Sequence, residues 1–187
     1  MQNGTKQALE ASLKRMLLHK PLDKITISDL TSDCGISRMA FYYHFKDIYD
    51  LVEWACLEDA TVALQGKKNY ADWQEGLLQI FEAVYENKPF ILNAYRAVSR
   101  EQIENYLYSL TYALIENVVE EQAAGTRIAQ EDKIFIAHFY KYSFVGVMLD
   151  WIKQGMKADY QKIVQDICIT MQGNINNSIN NFTNRGE

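Results

Sequence analysis

Residues 26–45 read Thr-Ile-Ser-Asp-Leu-Thr-Ser-Asp-Cys-Gly-Ile-Ser-Arg-Met-Ala-Phe-Tyr-Tyr-His-Phe, a pattern of helix, tight turn and helix. Thr26 followed three residues later by Asp29 has the form of a capping box. The hydroxyl accepts from a first-turn amide, the carboxylate reaches back, and a helix over 27–34 begins. Gly35 stops that helix, because glycine tolerates the left-handed conformation of a sharp exit. Ser37 is placed to cap a second helix over 38–45. At about 100° per residue, Arg38, Met39, Tyr42 and Tyr43 fall within an arc of about 140° on this second helix, and Phe41 and Phe45 lie about 40° apart on the other side. A packing face of Phe41 and Phe45, joined by Ile27, Leu30 and Ile36, is thereby separated from an outward face. The outward face offers one guanidinium, two phenols and a flexible apolar chain, a surface suited to the major groove of a duplex. Arginine can take guanine O6 and N7, tyrosine hydroxyls can take phosphate oxygens, and Met39 or Ala40 can touch a thymine methyl. The helix starts at Thr26 and Ser37 would turn free amides and positive dipole ends toward phosphates. Lys46 is a third candidate backbone contact.

Working outward, a helix is expected over 5–19, with Leu9, Leu13, Met16 and Leu17 at helical spacing and Pro21 beyond its end. Downstream, helices are expected over 46–64, 72–86, 89–98 and 99–122. A polar break falls at 66–69, Pro89 sits in a first turn, and Ser99-x-x-Gln102 forms another capping box. After a loop at 123–126, two long amphipathic helices are expected over 131–155 and 159–180, with the Asn-rich tail from Asn174 fraying. Two prolines and nine glycines in 187 residues leave few breakers, and the expected class is all-α. The expected organisation is an N-terminal three-helix helix-turn-helix domain, residues 1–47, followed by a helical regulatory and dimerisation domain, residues 48–187.

Hydrophobic residues are 48% and charged residues 23% of the chain, as in an ordinary globular protein. No apolar run approaches the roughly 18–20 residues that cross a bilayer, so no membrane partner is expected. The first residues lack the uninterrupted apolar stretch of a secretory signal. Three cysteines, an odd number without CxxC spacing, read as free thiols in a reducing cytoplasm. The net charge of −5 is unevenly placed, with residues 1–50 at +1 and residues 51–187 at −6, so the N-terminal segment is the less repelled by phosphate. No HExxH, GxGxxG, P-loop or GxSxG is present, and no His, Cys and carboxylate set has metal-ligand spacing. Neither enzyme activity, cofactor nor metal is expected.

Residues 25–45 match, nearly throughout, the pattern I-T-h-x-x-h-x-x-x-x-G-h-S-x-x-x-h-Y-x-x-F (h, apolar), and so resemble the TetR family of transcriptional regulators. The stretch Tyr42-Tyr-His-Phe-Lys-Asp-Ile-Tyr-Asp-Leu-Val-Glu-Trp54 resembles a sub-branch that includes dihydroxyacetone kinase operon regulators. The resemblance implies phosphate contacts from Thr26, Ser37, Tyr42, Tyr43, His44 and Lys46, and base contacts from Arg38, Met39 and Ala40. It implies a homodimer on a palindromic operator in double-stranded DNA, acting as a repressor in the first instance or as an activator. The chain departs from the family at Ile48, where lysine is common, at Met39-Ala40, where Gly-Thr is common, and at Cys34, where alanine is common.

The resemblance further implies that the last two long helices build the dimer and that a signal, from a small-molecule effector or a partner protein, is received among the middle helices. The dimer face is expected from Val145, Met148, Leu149, Ile152, Ile163, Ile167 and Met171, with Gly146 and Gly155 allowing close helix approach. Tyr85, Tyr95, Tyr106, His138 and Tyr142 are the expected effector contacts. Phe81, Phe135 and Phe139 are expected in plain core.

Overall fold

Ten α-helices and no strand are formed by the described residues, which are 2–63, 73–97 and 100–186 of a computed structural model. In order they are α1 Gln2–Leu17, α2 Ile27–Cys34, α3 Arg38–His44, α4 Ile48–Ala63, α5 Trp73–Glu86, α6 Lys88–Ala97, α7 Arg100–Gln122, α8 Gln130–Lys153, α9 Tyr160–Met171 and α10 Asn174–Thr183. A 3-10 turn, Leu22–Lys24, follows Pro21 and leads into α2. The polar break at 66–69, and Ser99 of the second capping box, lie outside the described residues.

Two hydrophobic clusters organise these helices. The first gathers Leu9, Leu13 and Leu17 of α1 with Leu30, Phe41 and Phe45 of the helix pair, and takes in Leu51, Val52, Ala55 and Cys56 of α4. It is completed by Phe90 and Ala94 of α6. The second is built by α5, α7, α8, α9 and α10. Besides α4, therefore, α6 joins the halves: Leu92 and Tyr95 pack on the second cluster, and Ile91 packs on both. Only Asn87 separates α5 from α6. Its amide donates to the Ala83 carbonyl at 3.3 Å and its carbonyl accepts from the Ile91 amide at 2.9 Å, while Pro89, with no N–H to give, sits in the first turn of α6.

Three expectations for the last helices are corrected. The chain over 159–180 is two helices, broken at Gly173, whose φ of 75° is a conformation that favours glycine. The Asn-rich tail does not fray: Ile175 and Ile179, one turn apart, are buried in the second cluster and hold α10 to it. Gly155 brings no helices together; it closes α8, with the Gly155 amide donating to the Ile152 carbonyl and the Met156 amide to Trp151, both at 2.9 Å.

The expected dimer residues are also differently placed. Val145, Met148, Leu149 and Ile152 of α8, with Ile167 and Met171 of α9, are buried in the second cluster, and Ile163 is partly buried against it. Six of these seven side chains are thus enclosed by their own chain, and Ile163 keeps some exposed surface. The outward side of α8 carries other apolar residues: Phe135 is 60% exposed, Phe139 57% and Val147 41%. Phe81 is core as expected, whereas Phe135 and Phe139 are not. The ring of Phe182, at the end of α10, lies 6.0 Å from that of Phe135. Gly146 is exposed, and a Cβ there would meet nothing within 4 Å.

Candidate nucleic-acid interface

The segment 26–45 folds as its local chemistry dictates. The Thr26 hydroxyl accepts from the Asp29 amide at 3.1 Å, and the Asp29 carboxylate accepts from the Thr26 amide at 2.9 Å. Gly35 takes φ 65° and ψ 30°, and the Ile36 amide returns to the Thr31 carbonyl at 3.0 Å. The Ser37 hydroxyl caps α3 by accepting from the Ala40 amide at 3.1 Å. Each hydroxyl still keeps its own proton to donate.

The two faces of α3 separate as the periodicity predicts. Phe41 is fully buried and Phe45 is 3% exposed, whereas Met39 is 80%, Tyr43 72% and Tyr42 49% exposed. Arg38 and Ser37 are exposed, and Ala40 and His44 are half-buried. Tyr43 and His44 meet edge-to-face at 5.0 Å. Behind α3, Phe45 packs on Trp54 of α4 with centroids 5.7 Å apart, and the Lys6 ammonium lies 5.5 Å from the Phe45 ring and 5.3 Å from that of Trp54. The aromatic layer on the far side thus fixes the helix that presents Arg38, Met39, Tyr42 and Tyr43.

The two helix starts are not equivalent. At Thr26 an anion is already in place. The Asp29 carboxylate is held at a pKa of about 2, below its ordinary 3.8, first by the Thr26 amide and then by Lys20, whose ammonium is at 2.9 Å. That start repels a phosphate that the start at Ser37, capped by a neutral hydroxyl, would attract. Lys46 is exposed, but its amide donates to the Asp50 carboxylate at 2.8 Å, so only its side chain is available. Ile48, where the family often has lysine, packs against the first cluster, which accounts for an apolar residue there. Tyr49, in the first turn of α4 and 41% exposed, is a phenol the sequence reading overlooked. Its spacing of three from Lys46 was the available signal.

The expected effector contacts that the described side chains include fall in different places. Tyr85 belongs to a cluster with Trp151 and Tyr160, at 6.2 and 5.2 Å. Tyr95 packs on the second core, and the side chain of Tyr106 lies outside the described residues. His138 and Tyr142 do meet, at 6.0 Å, and His138 is 5.0 Å from Tyr112 and Tyr142 5.1 Å from Tyr108, both on α7. Between these rings stands Lys141, which the sequence reading passed over because it lies among apolar positions of α8. A separate cavity of about 400 Å³ opens between the start of α5, the end of α7 and the α9–α10 joint, lined by Trp73, Gln122, Cys168 and Asn176 among others. None of the five expected contacts lines it. Among the described residues no group of three or more His, Cys, Asp or Glu is placed to hold a metal ion, and no helix is long and apolar enough to cross a membrane.

Residues 71–173 match a family model described as "Transcriptional regulator C-terminal region", the TetR_C_8 family. The chain is similar to the "HTH-type dhaKLM operon transcriptional activator DhaS" of Lactococcus lactis subsp. lactis (strain IL1403), 21% identical over 164 residues, covering 86% of this chain and 87% of that protein. It is also similar in fold to the solved structure of a "Dihydroxyacetone kinase operon activator DhaS", with a TM-score of 0.73 and 19% identity, covering 91% of this chain and 96% of that one.

Proposed function

Because this chain belongs to the TetR family of transcriptional regulators, we propose that it reads a palindromic operator as a homodimer and changes its grip on signal. The observation that carries this is the division of α3. Arg38, Met39, Tyr42 and Tyr43 stand outward over buried Phe41 and Phe45, so that a guanidinium and two adjacent phenols share one exposed face. Arg38, Met39 and Ala40 take base edges. Ser37, Tyr42, Tyr43, His44 and Lys46 take phosphates, and Thr26 does so more weakly because of Asp29. One short helix reads too few base pairs, so two copies related by a twofold axis read two half-sites about 34–36 Å apart.

The dimer face in this reading is the outward side of α8, around Phe135, Phe139 and Gly146, with the end of α10 beside it. A contiguous exposed apolar patch marks an association surface, and Gly146 leaves room for a second helix to approach. Residues 48–187 receive the signal, and residues 1–47 carry the DNA contacts. A ligand or partner at α7 and α8 moves α4 and α6, which enter the first cluster, and so resets the spacing of the two α3 helices. Likeness to the operon activator DhaS favours activation over repression.

The test is titration of the protein against duplexes selected from a random pool and against scrambled duplexes, over a range of salt. The expected result is a preferred palindrome, bound at least about 1,000-fold more tightly than scrambled sequence, with affinity falling steeply as salt rises. Failure to bind any duplex would leave a helical adaptor as the better reading, and equal affinity for every duplex would remove the sequence-specific one.

A further inference from the structure

We infer that Lys141 anchors an anion-binding site between α7 and α8, taking a carboxylate or phosphate carried by a small organic body. This rests on the reading that α7 and α8 receive the signal. Lys141 is only 8% exposed. Its ammonium is 4.4 Å from the ring centroid of Tyr142, 5.0 Å from Tyr108 and 5.4 Å from Tyr112, and no carboxylate pairs with it among the described residues. The acids along this side of α7 are engaged elsewhere. The Tyr112 hydroxyl donates to Glu116 at 3.1 Å, and Glu120 accepts from Lys133 at 2.7 Å and Gln130 at 2.9 Å.

A buried ammonium carries three donors and a full charge, and ring faces return only part of the hydration it gives up. Proteins pair such charges or keep them for a ligand. The surroundings are those of a receptor for an anion: one fixed positive charge, the Tyr142 phenol and the His138 imidazole as further polar groups, and the flat rings of Tyr108, Tyr112 and Tyr142 as walls for an apolar body. Tyr142 is both the closest ring and 52% exposed, so rotation of that one side chain opens the ammonium to the outside. Tyr142 also borders the exposed apolar side of α8, which places an occupant of the site next to the proposed dimer face.

The site is tested by thermal melts of the full chain, wild type, Lys141→Arg and Lys141→Met, in inorganic phosphate, acetate, benzoate and the neutral isostere benzamide, at matched ionic strength. At least one anion should raise the wild-type Tm, by roughly 5–10 °C at a hundred times its Kd. Benzamide should not, Lys141→Arg should keep the response, and Lys141→Met should lose it while melting no lower than wild type without anion. A second readout does not depend on any variant folding: the ring resonances of Tyr108, Tyr112 and Tyr142 in the wild type should move with the effective anion and stay still with benzamide. Anions that move neither the melt nor the rings, or that stabilise Lys141→Met equally, overturn the site. A Lys141-dependent response that leaves operator affinity unchanged upholds the site and removes the signalling reading on which it was placed.

Discussion

The ring of Phe41, fully buried, stands edge-on at 5.7 Å to the ring of Tyr42, its half-exposed neighbour in sequence. One residue anchors α3 in the first cluster, and the next is held against that anchor while its other side faces out. Tyr42→Phe therefore keeps the ring contact and removes only the hydroxyl. It should weaken binding to all duplexes alike. Arg38→Ala, by contrast, should cost about 1–3 kcal/mol on the preferred site and relax choice at one base position. Titrations against preferred and scrambled duplexes distinguish the two, and an exchange of those effects would reassign both roles.

Gly35→Ala isolates the backbone cost of the turn. A Cβ at this position meets nothing within 4 Å, so sterics outside the residue contribute nothing. The left-handed φ of 65° should cost about 1–2 kcal/mol, a fall of roughly 2–8 °C in Tm for a chain of this size. Gly35→Asn should lose less, because asparagine visits that conformation more readily. Equal melting of wild type and Gly35→Ala would show that the turn relaxes.

Asp29 gives the first cluster an acid sensitivity of predictable sign. Its folded-state pKa of about 2 lies below the ordinary 3.8, so the stabilisation is present above about pH 4 and lost as pH falls from there through about 2. In melts from pH 6 to pH 2, Asp29→Asn should melt below wild type at pH 5, and the gap should close across that interval. A gap that stays constant would mean that the carboxyl is not held ionised by Thr26 and Lys20.

Phe139 and Met148 lie on opposite sides of α8 and should respond differently to substitution. Phe139→Asp, at an exposed position, should leave helicity and Tm nearly unchanged, shift sedimentation to the monomer and weaken operator binding roughly 100-fold or more through lost avidity. Met148→Ala, in the second core, should cost about 2–5 kcal/mol of stability while the association state holds. Sedimentation and calorimetry on both variants decide which side of α8 meets a partner.

Local chemistry was readable from sequence, and long-range placement was not. The Thr26–Asp29 box, the Gly35 exit and the Ser37 cap each depend on residues within four positions, and α2 and α3 formed where those residues put them. The α3 faces were legible because apolar and polar positions segregate. In α8 they do not: Phe135 and Phe139 face out, Phe144 and Met148 face in, and all four are equally apolar in sequence. Periodicity alone could not say which stripe the rest of the chain would cover. Lys141 was missed for the same reason, since its burial is decided by tyrosines 29 and 33 residues before it, at Tyr112 and Tyr108. The tail was misjudged because the seven polar residues of Asn174–Thr183 outweighed, on paper, two isoleucines at the right spacing.

Phe90 and Ala94 of α6 complete the cluster beneath the reading helix, and this has a bearing on engineering. Grafting residues 1–50 onto a foreign sensor would strip that head of part of its floor, the places that Leu51, Val52, Ala55 and Cys56 of α4 and Phe90 and Ala94 of α6 fill in the first cluster. The unit that can be exchanged between regulators of this build runs through Ala97, and chimaeras should be cut after α6.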